Sequence, residues 1–451
     1  MKIIIAGAGE VGSHLAKLLS NEFHNLTVID PNKERLDKIA ESSDVITVEG
    51  SSTSLQVLKQ AGVSKCDLFI AVSPAQDQDL NIISSVLAKR LGASKVTARI
   101  NNDEYLSNEN KSIFMELGID SLFYPEKIAS LEISDLLKQT GTSEFMEFKD
   151  KLQLIVFRLE DGAPIVDRTI ADIASPKNDL LYRAVAVSRD GNTIIPRLNT
   201  RFRVNDLVFV ITKKENAKEA MAYSGKENID IKRLMIIGGG RIAEMVAKRM
   251  EKWVDHISII ELKKERCEVL SKSFKNTNNP LIINGDGRNT DLLIEEDVSS
   301  FDAFVALTSS SETNILACAA AKKLGVKKTI AEIENIEYIK LAEGMGIDAV
   351  INKKQITASR IFRYTLSNKV ESIKCLNGSN ADILEFIVTP NSLITRDKIK
   401  NINFPKDAVI GGVIRGDSSF IAVGDSQIMP YDRVVVFSLP SALGKIDKFF
   451  L

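Results

Sequence analysis

Cysteine, histidine and tryptophan are scarce: four, three and one among 451 residues. Cys66, Cys267, Cys318 and Cys375 lie far apart with no CxxC spacing, which argues against a disulfide framework or a zinc site and fits a reducing cytoplasm. His14, His24 and His256 are too few for a histidine-rich metal centre, so no metal is expected. No run approaches the roughly 18 apolar residues that a membrane helix needs, and the longest, such as Phe304 to Leu307 and Val434 to Phe437, are strand-sized. The opening MKIIIAGAGEVG lacks the basic, apolar and small-residue succession of a signal peptide, so export is not expected. Neither charge prevails. Lys and Arg number 59 against 60 Asp and Glu, a net charge of −1, which leaves no global basic field for nucleic acid or anionic lipid. What remains is ordinary globular usage, 44% hydrophobic and 26% charged, over a length that predicts about two to four domains.

The chain repeats itself. KIIIAGAGEVGSHLAKLL from Lys2 and RLMIIGGGRIAEMVAKRM from Arg233 run together without a gap. Further on, Asp30 pairs with Glu261, CDLFIAVS (Cys66 to Ser73) with FDAFVALT (Phe301 to Thr308), and Asn81 with Asn314. Each copy opens with β-rich apolar runs separated by helical patterns, in the first copy Ile3 to Ala6, Leu26 to Ile29, Val45 to Val48, Leu68 to Val72, Val96 to Ile100 and Ser121 to Tyr124. That alternation predicts a doubly wound parallel sheet of Rossmann type. Pro125 to Gln139 then reads as an amphipathic helix with Ala129, Ile133, Leu136 and Leu137 on one face, and Ala358, Phe362, Thr365 and Leu366 mark its counterpart. Phe145 to Ile211 and Ser372 to Phe437 read as short strands between Asp-Gly, Pro and Asn turns, modules small enough to need a partner surface. The predicted order is an α/β lobe over 1–124, a crossover helix over 125–140, a β-rich α+β lobe over 141–223, a linker over 224–231, and the same three parts over 232–352, 353–368 and 369–451.

Gly7-Ala8-Gly9-Glu10-Val11-Gly12 is a GxGxxG between a buried strand and a helix read from Ser13, the context of a phosphate-binding loop. Gly7 suits the tight turn, Gly9 the approach of a pyrophosphate, and Gly12 the packing of helix on strand. Asp30, at the end of the second strand, is placed to accept from an adenosine ribose diol and disfavours a 2′-phosphate, so NAD is expected over NADP. Gly238-Gly239-Gly240-Arg241-Ile242-Ala243 is the GxGxxA form, followed by Glu261. No catalytic group accompanies either loop, and Walker, GxSxG, HExxH and kinase signatures are lacking. Binding without turnover is the leading reading, against an oxidoreductase completed by a partner or a scaffold with vestigial loops.

The whole pattern resembles the tandem RCK (KTN) regulators of potassium transport. The likeness is carried by KIIIAGAGEVG, Asp30, EGSS at Glu49 to Ser52, Asn81 and ARI at Arg99, and again by MIIGGGRIA, Glu261, NGDG at Asn284 to Gly287, ALTSSSETNILA and AEI at Glu332. The resemblance implies Gly7 to Val11 at the phosphates, Asp30 at the ribose, Ser51 and Ser52 beside the adenine, Ser73 and Pro74 beneath the nicotinamide side, and Arg99 neutralising phosphate. In the second copy it implies Gly238 to Ala243, Glu261, Asp286 and Gly287. Ser51 stands where the family often has Asp, and Glu332 falls at the position of Arg99, which predicts a stronger first site unless Arg241 compensates. The resemblance further implies NAD or NADH, or ATP or ADP, as ligand. It also implies a homo-oligomeric ring, a tetramer, on the inner face of the membrane, docked on a Trk-type potassium transporter. Ile133, Leu136 and Leu137 are the expected self-association surface.

Overall fold

The computed structural model describes residues 1–20, 25–74, 77–173, 182–189, 192–225, 229–275, 280–362, 370–375, 379 and 381–450. His24, Thr365 and Leu366 lie outside the described residues, as does part of the expected linker.

Six strands, β1 (Lys2–Ala6), β2 (Asn25–Asp30), β3 (Ile46–Glu49), β4 (Leu68–Ala71), β5 (Lys95–Arg99) and β6 (Ser121–Phe123), form the first sheet in the order β3-β2-β1-β4-β5-β6. Every pairing is parallel. That is the Rossmann order, with the switch between β1 and β4. The runs are apolar throughout because helices cover both faces. These are α1 (Glu10–Ser20), α2 (Lys33–Ser42), α3 (Leu55–Gln60), α4 (Gln78–Arg90) and α5 (Asn108–Glu116), after which α6 (Pro125–Lys138) leaves the sheet. Leu58, Phe69, Ala88, Val96 and Ile119 are buried together in the core on the α3–α5 face.

β7 (Glu144–Phe148), β8 (Leu152–Arg158), β9 (Tyr182–Arg189), β10 (Asn192–Ile194) and β11 (Leu207–Lys213) make an antiparallel sheet, flanked by α7 (Ile170–Ile173) and α8 (Ala217–Ala222). The second copy repeats the plan. β12 (Arg233–Ile237), β13 (His256–Glu261), β14 (Leu281–Asn284), β15 (Ala303–Ala306), β16 (Lys328–Glu332) and β17 (Ala349–Ile351) form the second parallel sheet in the order β14-β13-β12-β15-β16-β17. Its helices are α9 (Arg241–Met250), α10 (Lys264–Ser273), α11 (Thr290–Glu295), α12 (Ser311–Lys323) and α13 (Glu337–Gly344). Then follow α14 (Lys353–Phe362), the strands β18 (Val370–Cys375), β19 (Asp382–Ile387), β20 (Ala408–Arg415), β21 (Ser418–Ile421) and β22 (Arg433–Ser438), and α15 (Pro440–Phe450).

The two β-rich lobes supply each other's missing partner surface. Leu152, Leu154, Phe209 and Ile211 of one sheet share a core with Ile383, Ile414, Val435 and Phe437 of the other. A Cβ on Gly411 would stand 2.8 Å from Ile211 Cγ1, and one on Gly412 2.7 Å from Leu152 Cδ1, so bare backbone is what lets the sheets close.

The compact units do not follow the repeats. One contains residues 1–128 with 353–367, the other 129–352 with 368–451. Thus α14, which follows the second sheet in sequence, packs on α1 beside the first sheet. Most of α6 belongs with the second sheet, where Lys138 places its ammonium 4.3 Å from the centre of the Trp253 ring. The buried Lys328 of β16 fixes the end of that segment, donating to the carbonyls of Thr140 at 2.8 Å and Thr142 at 2.5 Å. Ile133, Leu136 and Leu137 are consequently buried within one chain. The apolar face expected to mediate self-association is thus covered inside the molecule instead.

Candidate functional site

The first loop leaves β1 beside β2, where the Gly7 amide donates to Ile29 O at 2.8 Å. Gly7 has φ +113°, and a Cβ there would lie 2.8 Å from the Ser73 amide nitrogen. A Cβ on Gly12 would fall 1.8 Å from Gly7 O, which no adjustment of side chains relieves. At Gly9, no atom lies within 4 Å of the place a Cβ would take. The three glycines therefore have the turn, open and packing positions read from the sequence. The helix begins earlier than expected, at Glu10, with Ser13 N already bonded to Gly9 O at 2.8 Å. Glu10 and Val11 are thus first-turn residues whose amides have no partner inside the helix.

Asp30, at the end of β2, is buried. One carboxylate oxygen accepts from Ala8 N at 2.6 Å and the other from Asn32 N at 2.8 Å. The acid fixes the loop through these two bonds, and its remaining lone pairs can serve a diol. Gly50 N bonds Asp30 O at 3.0 Å, so the turn carrying Ser51 and Ser52 begins beside this acid. Ser51 is exposed, its hydroxyl 2.8 Å from that of Thr53. At the end of β4, Ser73 is held at both backbone groups by Asn81, whose Oδ1 accepts from Ser73 N at 2.8 Å and whose Nδ2 donates to Ser73 O at 3.1 Å and Arg99 O at 3.2 Å. Pro74 follows directly, and its carbonyl accepts from Asp77 N at 2.9 Å.

Arg99 has a carboxylate partner. Its guanidinium donates to Glu126 Oε1 at 3.0 Å, with both side chains close to nine-tenths buried. Arg99 Nε and Glu126 Oε2 are buried without a hydrogen-bond partner. The expected phosphate cation thus shares its charge with a carboxylate of α6, which reduces the contrast between Arg99 and Glu332 on which the predicted ranking of the two sites rests.

The second loop has the same frame. Gly238 has φ +85° and its amide donates to Ile260 O at 2.8 Å. Gly239 N donates to Glu261 Oε2 at 2.6 Å, and Lys263 N to Glu261 Oε1 at 2.7 Å. The Cβ direction of Gly240 is open, Arg241 begins α9, and Ile242 and Ala243 are buried. Asp286, expected near adenosine, is gripped by the Arg288 guanidinium at 2.7–3.1 Å, which holds its carboxyl below the usual range. A Cβ on the neighbouring Gly287 would stand 2.8 Å from Ile237 Cγ2. Glu332 is buried at the end of β16.

Both sheets match the TrkA-N domain, over residues 3–125 and 234–353, and residues 154–225 match the TrkA-C domain. The chain belongs to the TrkA family. It is 32% identical to a Trk system potassium uptake protein TrkA homolog of Archaeoglobus fulgidus and 31% identical to the Trk system potassium uptake protein TrkA of Haemophilus influenzae. Those alignments cover all of this chain and 100% and 98% of the relatives. Among solved structures it is similar to the RCK domain of GsuK, with TM-score 0.62 and 16% identity over 100% of this chain and 94% of that one. The GsuK channel bound to NAD gives TM-score 0.61 and 16% identity over 100% of this chain and 78% of that one. At such identity these structures establish the fold, a tandem RCK arrangement.

Several residues outside the expected set position the loops. Asn314 clamps Thr308 as Asn81 clamps Ser73, accepting from Thr308 N at 2.9 Å and donating to Thr308 O at 3.0 Å and Glu332 O at 2.8 Å. The signal was the recurrence of Asn at this place in both copies. Arg266 donates to Gly239 O at 2.6 Å and to Glu244 at 2.8 Å. Burial alone would raise the Glu244 carboxyl, but hydrogen bonds from Lys248, Ser273 and Arg266 outweigh it and bring it to about 2. Arg266 lies in a helix whose pattern gave no hint of this role.

Proposed function

We propose that the chain is a non-enzymatic, nucleotide-binding regulator acting on the cytoplasmic face of a membrane potassium transporter of the Trk type. Its ligand is NAD or NADH, or ATP or ADP in their place, because all present the adenosine and phosphates that the two loops are built to meet. Relatives named for Trk potassium uptake, aligned from end to end, support the transport role, and the structural likeness to the GsuK channel bound to NAD supports the ligand class. Among the described residues no helix is long and apolar enough to cross a membrane, in keeping with a subunit that acts through a partner.

One observation carries the reading. The helix that opens at the first loop, α1, packs against α14, which belongs by sequence to the other repeat. A ligand at the N-terminus of α1 therefore bears on a segment leading to the second β-rich lobe, an arrangement suited to changing conformation rather than substrate. Homo-oligomerisation, as a tetrameric ring, is assigned to the exposed apolar side chains of the remaining helices. Leu80 and Ile83 on α4, Ile113 and Met115 on α5, Leu316 on α12 and Leu341 on α13 are all exposed. Mixing the purified chain with NADH tests the reading: the expected result is a change in nucleotide fluorescence with NADH unconsumed. Consumption would favour an oxidoreductase, and no response a scaffold.

A further inference from the structure

The first loop begins its helix with an acid, an awkward neighbour for a polyphosphate. Glu10 is the first residue of α1, directly after the open position Gly9, and its side chain is largely exposed. A carboxylate there repels the charge that the loop amides attract. The structure places a cation against it from an unexpected source. Lys354, the second residue of α14, has its ammonium 3.3 Å from Glu10 Oε2, with the lysine itself mostly buried. One turn along α1, His14 is held well below its ordinary range, at about 4, by burial and by the charges of Lys354 and Lys17. It is neutral at physiological pH and does not compete for the role of cation.

The repeats give a second, independent indication. At equivalent positions they carry opposite charges twice: Glu10 against Arg241 at the loop, and Lys354 against Glu126 at the second residue of the crossover helix. The second loop has a cation of its own in Arg241. The first loop has an acid, and the missing cation comes from the other repeat.

Resting on the nucleotide-binding reading of the first loop, we propose that Lys354 is a phosphate-binding residue of that site, contributed by the second repeat. Its ammonium is held by Glu10. With three donors it can keep that contact while bonding the phosphate beyond Gly9. Each added phosphate then strengthens the hold on α14, so the site distinguishes ligands by phosphate number and tells the rest of the chain which one it holds.

The test is calorimetric titration of the full chain with ATP and with AMP. It is done in a Gly240→Val background, which fills the open phosphate position of the second loop. Lys354→Met, which keeps the aliphatic stem, should lower ATP affinity about tenfold and AMP affinity much less, while Lys354→Arg should hold ATP affinity within about threefold. A merely structural lysine would lower both affinities alike, so an unchanged ATP-to-AMP ratio in Lys354→Met overturns the proposal. Glu10→Gln leaves the ammonium and removes the repulsion, so ATP affinity should rise; a fall overturns the proposal even if Lys354→Met does not fold. Failure of the Gly240→Val chain to bind either nucleotide would instead sink the site itself, a different outcome from binding that ignores Lys354.

Discussion

Asp30 serves the loop and, in our reading, the ligand, and the two roles separate by substitution. Asp30→Ala removes the acceptor of Ala8 N and any charge-assisted bond to a ribose diol. It should cost about 1–3 kcal/mol of stability through the orphaned amide and about tenfold or more in NADH affinity. Asp30→Asn keeps an oxygen for Ala8 and loses the charge, so calorimetry should find weaker binding with most of the stability retained. Unchanged affinity in both variants would remove Asp30 from the site. His14 makes a separate prediction in pH. Its Nε2 is buried without a partner, and its folded pKa of about 4 lies below the ordinary 6.5. Between these values the unfolded chain binds the extra proton, so stability contributed by the neutral ring is present above pH 6.5 and is lost as pH falls toward 4. The stability lost from pH 7.5 to pH 5 should include about 2 kcal/mol from this group, absent in His14→Leu. Parallel pH curves for the two proteins would refute it.

At the scale of elements, the loop glycines predict opposite outcomes for one change. Gly12→Ala puts a Cβ 1.8 Å from the Gly7 carbonyl and should destabilise the first lobe by on the order of 3 kcal/mol. Gly9→Val projects into open space and should melt like the parent while losing nucleotide. Equal melting of all three proteins would mean the loop is not built as described. A further element-level device is Lys328, and Lys328→Met should cost roughly 2 kcal/mol or more by stranding two buried carbonyls. How far such elements were legible follows from where their information lies. Strands such as Ile3 to Ala6 and Leu68 to Val72 were readable because a parallel strand is apolar on both faces and its sequence says so. Gly7, Gly9, Gly12 and Asp30 were readable because their demands are local to one strand, turn and helix. The pairing of Arg99 with Glu126 was not, since the two lie on separate elements and charge alone does not name a partner. The apolar face of α6 was visible in Ile133, Leu136 and Leu137, but periodicity shows which side is buried and not what covers it.

At the scale of the molecule, duplication has been used to cross-connect. Each compact unit holds a parallel sheet and crossover-helix residues that follow the other sheet in sequence, so neither repeat is complete by itself. The exchange covers the apolar face of α6 internally and leaves exposed apolar side chains on α4, α5, α12 and α13, the surface to which the proposed self-association is assigned. Ile83→Glu with Leu316→Glu should therefore lower the mass found by light scattering at micromolar concentration without lowering the melting temperature; an unchanged mass would move the interface elsewhere. The central claim, that bound nucleotide is a signal to a potassium transporter and not a substrate, is tested most directly by potassium flux in liposomes. These would hold a Trk-type transporter and this chain, and be titrated with NADH and with ATP. Flux should change with nucleotide while the nucleotide is recovered intact, and should lose this dependence in Asp30→Ala. Flux indifferent to nucleotide at concentrations where the chain is saturated would contradict it.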